Sequence, residues 1–162
     1  MNDVPECYQK STLILGCGNT LLGDDGFGPA VIAYLEKHYQ IPEDVAILDV
    51  GTGAREILFN IVLAEKKPDR IIVIDAVDCQ RKPGEILTIR IDDLPENKID
   101  DFSLHQLPTS NLLKELKELC RVEVVLLSVQ PESVPETVKP GLSPRLQAAI
   151  PRMGKYIAKN YF

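Results

Sequence analysis

The hydrophobic pattern along this chain switches between two periods. Residues 12–17 are apolar without alternation, the mark of a strand covered on both faces. Residues 45–49 form a second such run and end in Asp49. Residues 70–75 place Ile71, Ile72, Val73 and Ile74 in succession ahead of Asp75. Residues 122–129 are strongly β-branched and read as a further strand. Residues 85–91 instead alternate, with Ile86, Leu87, Ile89 and Ile91 apolar, which suits an antiparallel edge strand.

Between these runs the spacing becomes helical. Residues 28–39 set Val31, Ile32, Leu35 and Tyr39 on one stripe, with Glu36 and Lys37 outward and Pro29 in the first turn. A short helix follows over residues 54–64. Leu112, Leu113, Leu116 and Leu119 give the stripe of a helix ending near residue 120, with Thr109 or Ser110 as its cap. Ser143 and Pro144 open a last helix that turns Leu146, Ala149, Ile150, Met153 and Ile157 inward. Pro151 is predicted to kink it or split it in two.

Strands alternating with helices predict an α/β fold: a three-layer sandwich with a mostly parallel, five-stranded twisted sheet and helices on both faces. A length of 162 residues suits a single domain over 1–162, with residues 1–10 as a loose tail.

The first strand runs into the glycine-rich stretch G-C-G-N-T-L-L-G-D-D-G-F-G, residues 16–28. Ligands of open α/β sheets bind at the carboxyl ends of strands, where such loops lie. The dinucleotide pattern fails here, because Leu21 stands where the third glycine is needed. The phosphate loop fits Gly18 and Gly23, but Asp24 and Asp25 replace its Lys and Ser/Thr. Adjacent carboxylates repel a phosphate and attract a cation, so the loop reads as the rim of a metal or cationic-group site. The alternative is helix capping, which Asp also favours; one Asp can cap while the other stays free.

Asp75 emerges at a strand end and, if the strands are parallel, can converge with Asp25 on one edge of the sheet; a strand-terminal turn is the alternative role. Asp49 could reach the same edge, ahead of the loop formed by Gly51, Thr52 and Gly53, and Asp78 is a weaker candidate. His105 lies in a loop just before a helix, where a hydrogen-bonded structural histidine and a metal ligand both fit. Residues 92–101 carry five acids and one lysine and read as a solvated loop.

Composition narrows the function classes. A net charge of −6 disfavours non-specific nucleic-acid binding. No apolar run approaches the ~18 residues of a membrane span. The first residues lack a signal-peptide pattern, and a cytoplasmic location is expected. Cysteines 7, 17, 79 and 120 form no C-x-x-C pair, so buried, reduced thiols are expected, Cys17 packing at a strand end.

The motifs G-x-G-N-x-L-x-x-D-D-x-x-G at 16–28, L-D-V-G-T-G at 48–53, I-D-A at 74–76, S-L-H-Q at 103–106 and P-E-S at 131–133 together resemble the nickel–iron hydrogenase maturation endopeptidases. The detail of the first loop and of residues 101–111 looks most like the members serving deazaflavin-reducing hydrogenases of methanogens. The resemblance implies an aspartyl-protease-like, nickel-dependent hydrolase. It would remove the C-terminal extension of a hydrogenase large-subunit precursor after nickel insertion. It implies Asp25, Asp75 and His105 as metal-binding and catalytic residues. Gly16, Gly18, Asn19, Asp24, Gly28, Asp49, Gly51 and Thr52 form the supporting loops. The nickel would arrive with the substrate, and zinc or cadmium suit the same donors. The expected partner is the precursor, met by a monomer in a transient complex. The rival is a nickel-binding assembly chaperone without proteolysis. No Ser-His-Asp order, H-E-x-x-H or Cys–His pair supports a conventional protease.

Overall fold

The computed structural model describes residues 5–93 and 109–162. Five strands, β1 (Thr12–Cys17), β2 (Val45–Gly51), β3 (Arg70–Ala76), β4 (Ile86–Arg90) and β5 (Glu123–Val129), form one sheet in the order β2-β1-β3-β5-β4. All neighbours are parallel except β4, which pairs antiparallel with β5 at the edge, in keeping with its alternating sequence.

Among the described residues four helices cover the sheet: α1 (Phe27–His38), α2 (Ala54–Leu63), α3 (Thr109–Glu118) and α4 (Pro144–Tyr161). The chain moves one way from β1 to β2 and the other way from β2 to β3. Crossovers between parallel strands are right-handed, so α1 and α2 fall on opposite faces. Phe27, Val31, Ile32 and Leu35 of α1 pack with Leu146, Ala149, Met153 and Ile157 of α4 against Ile14, Ile72, Ile74 and Leu127. Leu58 and Ile61 of α2 pack with Leu113 and Leu116 of α3 against Leu13, Leu15, Ile71, Val73 and Leu126. Successive strand residues thus enter opposite cores, which explains why the runs lack polar alternation. The sandwich has the three layers expected.

Four local expectations need correction. Residues 6–9 are not loose: Glu6–Gln9 forms a 3-10 turn, and its Tyr8 packs against the α2–α3 core. Leu119 is 76% exposed rather than inward, because α3 ends at Glu118 and Arg121 takes a φ of 57° to enter β5. Pro151 does not split α4, which continues through it for 18 residues. Pro151 is exposed, and the buried residues on either side, Ala149 and Met153, hold both halves to one core. Ser143 is the residue before α4, yet its hydroxyl makes no capping bond; it donates to Asp24 instead.

Candidate functional site

The strand order reverses direction between β1 and β3, and their carboxyl ends are where ligands of open α/β sheets bind. The chain crowds this point with backbone. A Cβ on Gly28 would lie 2.2 Å from the Cys17 carbonyl oxygen and 2.6 Å from that of Ile74, so only glycine lets α1 start this close to β1 and β3. Gly16 meets Gly28 in the same way, with its Cβ position 2.5 Å from the Gly28 oxygen. Gly18 has a φ of 134° and a Cβ position 1.8 Å from the Asp25 carbonyl oxygen.

Asp24 and Asp25 stand side by side in a 3-10 turn, Gly23–Gly26, and neither caps α1; Gly26 occupies that position without a side-chain bond. They do different work. Asp24, 2% exposed, is a brace. Its Oδ1 accepts the Ser143 N–H at 2.7 Å. Its Oδ2 accepts the Glu132 N–H at 2.8 Å, the Ser143 hydroxyl at 3.0 Å and the Ser133 N–H at 3.4 Å. Backbone bonds between Lys139 and residues 21 and 23 add a second seam, so the β1–α1 loop and the loop after β5 form one rim.

Asp25 turns the other way. Its Oδ2 accepts the Asn19 N–H at 2.8 Å, and Asn19 Oδ1 accepts the Leu21 N–H at 3.0 Å. Asp75, 2% exposed, sits at the end of β3, its Oδ1 accepting the Ala76 N–H at 2.8 Å. Burial and then the charge of Asp25 push the Asp75 carboxyl well above its usual range, and the Ala76 hydrogen bond offsets only part of this. Asp25 is thus near enough for its charge to act on the buried Asp75 carboxyl. Beside them, burial and then the charges of Asp75, Asp25 and Asp49 push the Cys17 thiol well above its ordinary value. Cys17 stays protonated and packs in the α2–α3 core, the opposite of an activated nucleophile.

The other expected residues are placed as follows. Asp49 lies within β2 opposite Gly16, is exposed, and accepts the Gly51 N–H at 3.0 Å; a register shift after Gly16 then sets Cys17 against Gly51. Gly51 has a φ of 51°, and its carbonyl accepts the Gly18 N–H at 2.9 Å, which ties the two glycine loops. Thr52 follows at the exposed end of that loop. Asp78 accepts from the Gln80 N–H and from Gln130 Nε2, a turn role. His105 and most of the acidic stretch 92–101 lie outside the described residues.

Two polar residues of β5 and its exit were missed. Gln130, 6% exposed, accepts the Cys79 and Arg81 N–H groups on Oε1 and donates to Asp78 and the Pro131 carbonyl, clamping the loop that follows Asp75. Ser128 is fully buried and lies opposite Asp75. The signal for Ser128 was a single hydroxyl in an otherwise apolar strand end.

Among the described residues no group of three or more His, Cys, Asp and Glu could hold a metal ion. Neighbouring carboxylates repel each other, and a cation between them would relieve that repulsion. No helix among the described residues is long and apolar enough to cross a membrane.

Residues 29–160 match the family model for hydrogenase maturation protease. The chain is 39% identical over 143 residues to a candidate hydrogenase maturation protease of Methanocaldococcus jannaschii, covering 88% of this chain and 90% of that one. It is 34% identical over 149 residues to the coenzyme F420 hydrogenase subunit delta of Methanothermobacter thermautotrophicus, covering 90% of each. Its fold superposes on the crystal structure of the NiFe hydrogenase maturation protease HycI from Thermococcus kodakarensis with a TM-score of 0.75 and 26% identity, covering 93% of this chain and 91% of that one. The chain belongs to the hydrogenase maturation protease family.

Proposed function

We propose that this protein is an endopeptidase that removes the C-terminal extension of a nickel–iron hydrogenase large-subunit precursor, and that it does so only after nickel is in place. The observation that carries this reading is the placement of Asp75, buried at the end of β3 and near enough to Asp25 that burial and the neighbouring charge push its carboxyl well above the usual range. Such a pair at the end of a sheet is poised for a cation. The nickel belongs to the substrate. Asp25, Asp75 and His105 offer two oxygens and one nitrogen to it, a set that also accepts zinc or cadmium. Three protein donors leave positions for the precursor's own ligands. A precursor without nickel leaves the carboxylates repelling each other and the interface incomplete. The likeness to a coenzyme F420 hydrogenase subunit favours the precursor of a deazaflavin-reducing hydrogenase as substrate. The complex is transient, formed by a cytoplasmic monomer.

Purified protein incubated with precursor tests the reading by intact mass. Loss of a defined C-terminal peptide supports it. A stable complex with an unshortened precursor would instead favour a nickel-binding chaperone. Cys17 takes no part in the cleavage on this reading. Cys17→Ala is expected to keep processing within a few-fold, and Cys17 should resist iodoacetamide in the folded protein, checked by peptide mass. A cleavage-dead Cys17→Ala that folds normally would contradict this.

A further inference from the structure

We propose that Ser128 is a positioning residue for Asp75, its hydroxyl donating a hydrogen bond that fixes the carboxylate when the site holds its cation. This rests on the reading that Asp75 is a ligand. β3 and β5 pair in parallel with Asp75 directly opposite Ser128. Two residues earlier, Val73 and Leu126 are also opposite and both enter the α2–α3 core, so the side chains of Asp75 and Ser128 share that face. Neighbouring strands lie about 4.8 Å apart, within reach of a hydroxyl and a carboxylate that extend alongside each other.

The Ser128 hydroxyl is fully buried and has no hydrogen-bond partner among the described residues. Its neighbour on the other side, Leu87, offers no polar side chain. A buried hydroxyl with no partner costs free energy that alanine would not. Each such group in a native structure asks for a reason, and a catalytic role is one. The Asp75 carboxylate already receives the Ala76 N–H on Oδ1. A second donor from Ser128 would lock its plane and leave the remaining lone pairs to the metal. Hydrogen-bonding partners of ligating carboxylates do this elsewhere, and their loss weakens metal binding about 10–100-fold.

The test titrates Cd²⁺ into wild-type protein, Ser128→Ala, Ser128→Thr and Asp75→Asn by calorimetry, with melting curves in chelator. Ser128→Ala should bind Cd²⁺ at least about tenfold more weakly. Its melting temperature in chelator should be unchanged or higher, because an unsatisfied hydroxyl has gone. A merely structural serine would not separate these two readouts. Ser128→Thr, which keeps the hydroxyl, should restore affinity. If Ser128→Ala binds like wild type while Asp75→Asn does not, the positioning role is wrong and the metal site stands. If Asp75→Asn binds like wild type, or the wild type binds no Cd²⁺, the metal reading itself fails and this inference fails with it.

Discussion

Asp75→Asn is expected to stop precursor processing, lowering its rate by at least about a hundredfold, the upper end of what losing a mere supporting contact to a metal ligand costs. The same substitution is expected to raise the melting temperature of the free protein at neutral pH. Both follow from one placement. Asp75 is 2% exposed, faces the charge of Asp25, and has its carboxyl held well above the usual range by burial first and by Asp25 second. The folded state therefore binds more protons than the unfolded chain between the ordinary carboxyl value and the raised one. Stability falls as pH rises through that window and stays lower above it. Asparagine carries no charge to bury, so its stability curve lacks this fall while its shape is nearly retained. Melting curves of both proteins in chelator from acid to neutral pH check the sign. A variant that cleaves normally, or that is less stable than wild type at neutral pH, contradicts the assignment.

The second large effect separates the adjacent aspartates. Asp24→Ala is expected to destabilise the fold by about 3–5 kcal/mol, because several donors aimed at one buried carboxylate lose their acceptor together. For a chain of this length that lowers the melting temperature on the order of 10 °C. Asparagine is a poor rescue. One oxygen receives the Ser143 N–H and the other receives Glu132, Ser133 and the Ser143 hydroxyl, so an amide group in either orientation faces at least one N–H donor. Asp25→Ala is expected to cost less, because removing its charge relieves the repulsion on the buried Asp75 carboxyl. Thermal melts of the three variants decide the matter. Equal losses for Asp24→Ala and Asp25→Ala would remove the division between brace and site.

That division shows what the sequence could and could not carry. The strands were legible because each apolar run serves two cores, and the edge strand because it alternates. The placement of Asp75 followed from parallel pairing. The roles of Asp24 and Asp25 did not, because the partners of Asp24 lie 108 to 119 residues downstream. Local preference offered one of the two aspartates to α1 as a cap and the Ser143 hydroxyl to α4; tertiary contact joined Asp24 to Ser143 instead. Pro151 shows the same override, with a buried face holding a helix together across a residue that disfavours it. Ser128 was missed for another reason: a lone hydroxyl in an apolar strand end acquires meaning only when register sets it opposite a buried carboxylate.

The most direct measurement is the intact mass of nickel-loaded and nickel-free precursor after incubation with the purified protein, side by side. Loss of the C-terminal peptide from the loaded form alone is the predicted result. Equal cleavage of both forms would contradict recognition through nickel and leave Asp25 and Asp75 in need of another role.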